Sequence, residues 1–137
     1  MATQPNVALV AGVGEGLGSA IARRFARAGY FTVLVARNIE RLDRISSEIE
    51  RAGGRGMAYV ADVREESAVS KLFDDVEAQI GAISVAVFNA GANYRASILD
   101  TPADMFDKVW RLGCYAGFLV GREAARHMAP RGKGTII

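Results

Sequence analysis

The chain has 137 residues, half of them hydrophobic and 23% charged, with 17 basic and 15 acidic side chains for a net charge of +2. That length suits one domain, and that apolar content can offset the ordering entropy that keeps polar, highly charged chains disordered. The interleaved charges offer no basic stripe for nucleic acid, no apolar run nears the ~20 residues of a membrane span, and the single cysteine, Cys114, closes no internal disulfide.

Short apolar runs alternate with longer amphipathic stretches along the chain. Residues 6–10 are too few for a helix and read as a buried strand. Residues 17–28 carry Leu17, Ile21 and Phe25 at i, i+4 and i+8, the period of a helix with one buried stripe, and Gly29 stops it. Residues 31–35 form a second strand rich in β-branched side chains. Asn38 caps a second helix, in which Leu42, Ile45 and Ile49 recur on one face before Gly53 and Gly54. A third strand is expected at residues 56–60. The helix after it aligns Val69, Leu72, Phe73, Val76 and Ile80 and ends at Gly81, and residues 83–88 make a fourth strand. A loop over residues 93–100 leads through Thr101 as cap and Pro102 as first-turn proline into a long helix, which passes Phe106, Val109 and Trp110 towards Met128. After a turn at 130–133, residues 134–137 open a fifth strand.

Strands alternating with helices imply right-handed crossovers and a parallel sheet covered on both faces, and continuous apolar strands agree with that burial. The expected fold is therefore α/β: a doubly wound, Rossmann-like, three-layer αβα arrangement forming one domain over residues 1–137. Ile137 follows only two clearly strand-like residues, so the fold is expected to be cut at its fifth strand, with a longer polypeptide continuing from there or lost.

Between the first strand and the first helix lies Ala11-Gly12-Val13-Gly14-Glu15-Gly16-Leu17-Gly18, with Gly12, Gly16 and Gly18 in the spacing G-x-x-x-G-x-G. Glycine suits a tight turn whose main chain must approach a diphosphate closely, and the helix N-terminus offers unpaired N–H groups and partial positive charge to that anion. Placed after a strand and before a helix, the loop predicts a dinucleotide cradle built from Gly12, Gly14, Glu15, Gly16, Leu17 and Gly18.

This loop, together with Asp62-Val63 after the third strand and Asn89-Ala90-Gly91 after the fourth, resembles the short-chain dehydrogenase/reductase family, over about the first half of a typical member. The resemblance implies hydride transfer between a nicotinamide and a carbonyl or alcohol carbon of a small-molecule substrate. It also implies that Asp62 and Val63 contact the adenine, that Asn89, Ala90 and Gly91 line the strand end near the cofactor ribose, and that subunits pair through the long helix into dimers or tetramers.

The choice of nicotinamide cofactor is read at the end of the second strand, Val35-Ala36-Arg37-Asn38. No carboxylate stands there to bind ribose hydroxyls, and the Arg37 guanidinium could pair with a 2′-phosphate, which makes Arg37 and Asn38 the expected cofactor contacts of this strand end and predicts NADP. NAD is the runner-up, because Glu15 stands where phosphate-preferring relatives often carry a basic residue.

By the same resemblance the chemistry needs a serine and a Tyr-x-x-x-Lys pair, both beyond the fifth strand, and an asparagine in the long helix. Tyr30, Tyr59, Tyr94 and Tyr115 are followed four places on by Leu34, Val63, Ile98 and Leu119, and the helix asparagine falls on Gly113. No catalytic residue is therefore expected in these 137 residues, and no His/Cys/Asp/Glu group has metal-ligand spacing. His127 is expected near a helix end, facing solvent or capping carbonyls. Cys114 is expected to pack as a small helix residue. Phe106, Val109 and Trp110 form a core or subunit-contact stripe, and residues 93–97 are either the border of a substrate cleft or a plain loop.

Two functions stay open: an NADP-dependent oxidoreductase acting on a small carbonyl or alcohol, and a catalytically silent module that binds or senses NADP. A structural protein that uses the fold without ligand is a third, for which the loop glycines have no purpose. No basic segment precedes the first short apolar run, so no secretory signal is expected and cytoplasmic residence is the default.

Overall fold

The computed structural model describes residues 4–137. In chain order the elements are β1 (Val7–Ala11), α1 (Leu17–Arg27), β2 (Phe31–Ala36), α2 (Ile39–Arg51), β3 (Arg55–Val60), α3 (Glu66–Gln79), β4 (Ile83–Phe88), α4 (Ala103–Trp110), a π-turn (Arg111–Tyr115), α5 (Ala116–Met128) and β5 (Thr135–Ile136). The strands are parallel and ordered β3-β2-β1-β4-β5. After β3 the chain returns past β1 to begin the other half of the sheet, so the order reverses between β1 and β4. In open α/β sheets, ligands bind at that switch point, outside the carboxyl ends of the strands.

The alternation of β1 shows why its apolar run is unbroken. Val7, Leu9 and Ala11 pack with Val33, Phe73, Val76 and Leu119 on one face, under α3 and α5. Ala8 and Val10 pack with Ala22, Leu34, Leu42 and Ile45 on the other face, under α1 and α2. The result is the three-layer αβα, Rossmann-like arrangement that the sequence predicts. β3 is the exception to full burial: as the edge strand it is only half covered, and Val60 is exposed.

Five local expectations are corrected. The buried face of α1 is Gly18, Ser19, Ala22 and Ala26, whereas Leu17 is 67% exposed and Ile21 and Phe25 lie on the flank. Small residues win that face because the helix start presses against the sheet: a Cβ on Gly18 would sit 2.4 Å from the Gly12 carbonyl oxygen. Thr101 does not cap α4. Its hydroxyl donates to the Ser97 carbonyl at 2.8 Å, closing the preceding loop, and Pro102 takes the capping position without a side-chain bond. Asn38 does cap α2, its Oδ1 accepting from the Arg41 N–H at 2.9 Å.

The long helix is interrupted by the π-turn, which leaves Gly113 and Cys114 exposed, so Cys114 is not a buried packing residue. Phe106 and Trp110 are likewise exposed and no residue of α4 is buried, so that stripe is not core. His127 neither faces solvent nor caps carbonyls. It stands in the seam between α3 and α5, with Nδ1 3.0 Å from the Glu77 carboxylate and Nε2 3.5 Å from both Asp74 and Glu123.

The short fifth strand does form. Ile136 pairs with Ala86, and the Ile137 N–H donates to the Ala86 carbonyl at 2.9 Å. Among the described residues, no helix is long and apolar enough to cross a membrane.

Candidate functional site

The carboxyl ends of β1, β2, β3 and β4 surround a cavity of about 540 Å³, within the range of roughly 300–1,000 Å³ typical of small-molecule sites. The strands end in Gly12, Arg37, Ala61-Asp62 and Asn89, so residues far apart in the chain meet because parallel strands start and stop at one level. Of the thirteen residues expected to bind a dinucleotide, twelve line the cavity: Gly12, Gly14, Gly16, Leu17, Gly18, Arg37, Asn38, Asp62, Val63, Asn89, Ala90 and Gly91. Glu15 alone does not.

Gly12 carries the turn out of β1. Its φ is +92°, and its N–H and that of Val13 both donate to the Val35 carbonyl, at 2.9 and 3.1 Å. A Cβ there would lie 2.4 Å from the Ala90 nitrogen, so the β1 and β4 ends meet with no room for a side chain. Asn89 ties the same corner, its Nδ2 donating to the Gly12 carbonyl at 3.1 Å. Gly14 and Gly16 differ: a Cβ on either would project into open space. Both line the cavity, so what their missing side chains leave free is the approach of a ligand to the backbone. No side chain caps α1 and no acidic residue stands in its first turn, so its N-terminal N–H groups face the cavity without an internal anion. These residues fit a diphosphate group.

At the β2 end, Arg37 is exposed and makes no ion pair among the described residues. At the β3 end, Asp62 accepts from the Arg64 backbone N–H at 3.0 Å, from its Nε at 2.9 Å and from its Nη2 at 2.6 Å. The Arg64 guanidinium therefore holds the Asp62 carboxyl below the usual carboxylate range, against the opposing effect of partial burial. Asp62 stays an anion with a fixed orientation.

Six lining residues escaped sequence reasoning: Val13, Val35, Ala36 and Ala61 adjoin expected ones, and Arg41 and Leu112 come from elsewhere. Arg41 enters because the Asn38 cap fixes the first turn of α2 beside the cavity, a consequence readable from the cap. Leu112 enters from the π-turn, which the sequence signals only through Gly113. At Tyr59, outside the cavity, burial, and then its hydrogen bond to Asp75 at 2.6 Å, push the hydroxyl up to about 12.

A glycine turn, an uncapped helix start and four strand ends around one cavity at the point where strand order reverses define a Rossmann-like protein. The comparisons narrow this: the family described as short chain dehydrogenase matches residues 6–137, and the chain belongs to the short-chain dehydrogenase/reductase family. It is 36% identical to gluconate 5-dehydrogenase of Gluconobacter oxydans, over 95% of this chain and 51% of that protein. A short-chain dehydrogenase from Rhodopseudomonas palustris superposes with a TM-score of 0.90 at 40% identity, covering 96% of this chain and 61% of the other. An actinorhodin polyketide ketoreductase (F189W) solved with NADPH gives a TM-score of 0.93 at 30% identity, covering 99% and 53%. The chain thus spans about half the length of the curated relatives it matches.

Proposed function

We propose that residues 1–137 form the single cofactor-binding domain of an oxidoreductase that transfers hydride between NADP(H) and a small carbonyl or alcohol. The observation that carries this reading is the convergence of twelve expected residues on one cavity at the switch point. In this reading the backbone of Gly14 and Gly16 and the start of α1 take the diphosphate, with Leu17 and Gly18 in the first turn. Gly12 shapes the turn, Asp62 and Val63 meet the adenine, and Asn89, Ala90 and Gly91 border the ribose. The nicotinamide, when bound, supplies the hydride chemistry; this chain's residues hold and orient it.

Selectivity for NADP rests on Arg37, a guanidinium at the β2 end beside Asn38 that makes no ion pair among the described residues, on a strand end that carries no carboxylate of its own. The relation to a ketoreductase solved with NADPH supports the same choice. Titration of the chain with NADPH and NADH, followed by cofactor fluorescence, tests it. NADPH is expected to bind more tightly, and Arg37→Ala to weaken NADPH by roughly ten- to a hundredfold, the worth of charge-assisted hydrogen bonds, while leaving NADH unchanged. Equal binding of both, insensitive to Arg37→Ala, overturns the NADP assignment.

One observation favours a second reading, a module that binds NADP without turnover. Gly113, at the π-turn beside the cavity residue Leu112, offers no side chain where the family resemblance expects an asparagine. An assay of NADPH oxidation with aldehydes, ketones and quinones separates the two: turnover removes the module reading. The proposal extends to a homo-oligomer, since Phe106, Trp110 and Phe118 leave apolar surface on α4 and α5, and to a cytoplasmic setting, where the exposed Cys114 thiol stays reduced.

A further inference from the structure

Glu15 belongs to the glycine loop, yet its side chain leaves the cavity and meets two arginines of α2. The carboxylate accepts a hydrogen bond from Arg44 Nη2 and lies 3.9 Å from Arg41 Nε. The two arginines are not equivalent: Arg41 lines the cavity next to Arg37 and Asn38, and Arg44 does not. The cavity mouth at the β2 end therefore holds two guanidinium groups, one without an ion pair among the described residues and one already drawn toward a carboxylate.

All three members of the cluster are exposed, with side chains at 64% for Glu15, 40% for Arg41 and 53% for Arg44. An exposed pair of this kind contributes little, so it gives way readily to a better partner. A phosphate dianion is such a partner, with more charge and three acceptor oxygens against the two of a carboxylate. If Arg41 turns into the cavity, Glu15 keeps Arg44 and is not left uncompensated.

We propose that Arg41 is a second residue setting selectivity for the 2′-phosphate of NADP, and that Glu15 competes with that phosphate for it. The inference rests on the dinucleotide reading above. It explains how a loop glutamate, which by its sign opposes a phosphate, coexists with Arg37: Glu15 lowers the preference for NADP without abolishing it. NAD, which has no phosphate at this position, is indifferent to the exchange.

The test is a titration of the chain and of Glu15→Gln, Arg41→Ala and the double variant with NADPH and NADH, at low and high salt. Glu15→Gln is expected to tighten NADPH roughly three- to tenfold at low salt, to leave NADH within about twofold, and to lose the gain as salt screens the charges. Arg41→Ala is expected to weaken NADPH roughly fivefold or more with no effect on NADH, and in that background Glu15→Gln gives no further gain. The inference is overturned if Arg41→Ala binds NADPH as the unaltered chain does, if Glu15→Gln shifts both cofactors together or neither, or if its gain persists without Arg41. Failure of the unaltered chain to bind either dinucleotide overturns the dinucleotide reading itself, a result distinct from binding that the variants leave unchanged.

Discussion

Gly12 and Gly14 lie two residues apart in one loop and have opposite reasons to be glycine. Gly12 is fixed by the fold, with φ at +92° and the β4 end pressed against it. Gly14 has open space where its side chain would be. Gly12→Ala is therefore expected to cost about 3 kcal/mol or more, combining backbone strain with overlap, whereas Gly14→Ala stays within about 1 kcal/mol. Urea unfolding of the two variants measures this, and a Gly12→Ala chain as stable as the original would contradict the packing described. At this scale most of the site was legible in advance, because Arg37, Asp62 and Asn89 follow directly from where strands end. The direction of Glu15 was not. It depends on which side chains α2 presents across the loop, and nothing local to residues 12–18 encodes that.

At the scale of elements, periodicity located all five strands and the covering helices, and misjudged which side of α1 is buried. A stripe of Leu17, Ile21 and Phe25 wins on hydrophobicity, yet helix and sheet approach so closely at Gly18 that only small residues fit between them. The seam between α3 and α5 was equally hidden, since Glu77 and His127 are fifty residues apart in the chain. Glu77 accepts from the Ile83 N–H at 3.0 Å and from Arg131 at 2.9 Å, and its Oε2 lies 3.0 Å from His127 Nδ1. Burial opposes its ionisation, but these partners together hold its carboxyl below the ordinary value of 4.5. A carboxyl with a lowered native pKa contributes stability that is present above the unfolded value and lost as pH falls through the native one. Glu77→Gln is thus expected to lower Tm at neutral pH by about 3 to 5 °C, for roughly 1 kcal/mol, with the gap to the unaltered chain closing below about pH 4.5. Melting curves from pH 7 to 3 read this directly, and a gap of constant size across that range would contradict it.

For the molecule as a whole, doubly wound topology was legible because alternation of strand and helix permits few parallel arrangements, and the family signatures fell at the strand ends that such a sheet brings together. What the sequence concealed arises from long-range packing: the half-exposed edge at β3, the π-turn inside the long helix, and the approach of Leu112 to the cavity. The chain covers about half of each curated relative, and its cavity draws on every strand from β1 to β4, so cofactor binding is the property these residues can express together. Amide NMR of the 15N-labelled chain during addition of NADPH tests that most directly. The expected result is movement of the Gly14, Gly16, Leu17 and Gly18 amides together with those of Asn89, Ala90 and Gly91. Binding that leaves the amides of residues 12–18 in place, or no binding at all, would contradict a diphosphate held by this loop.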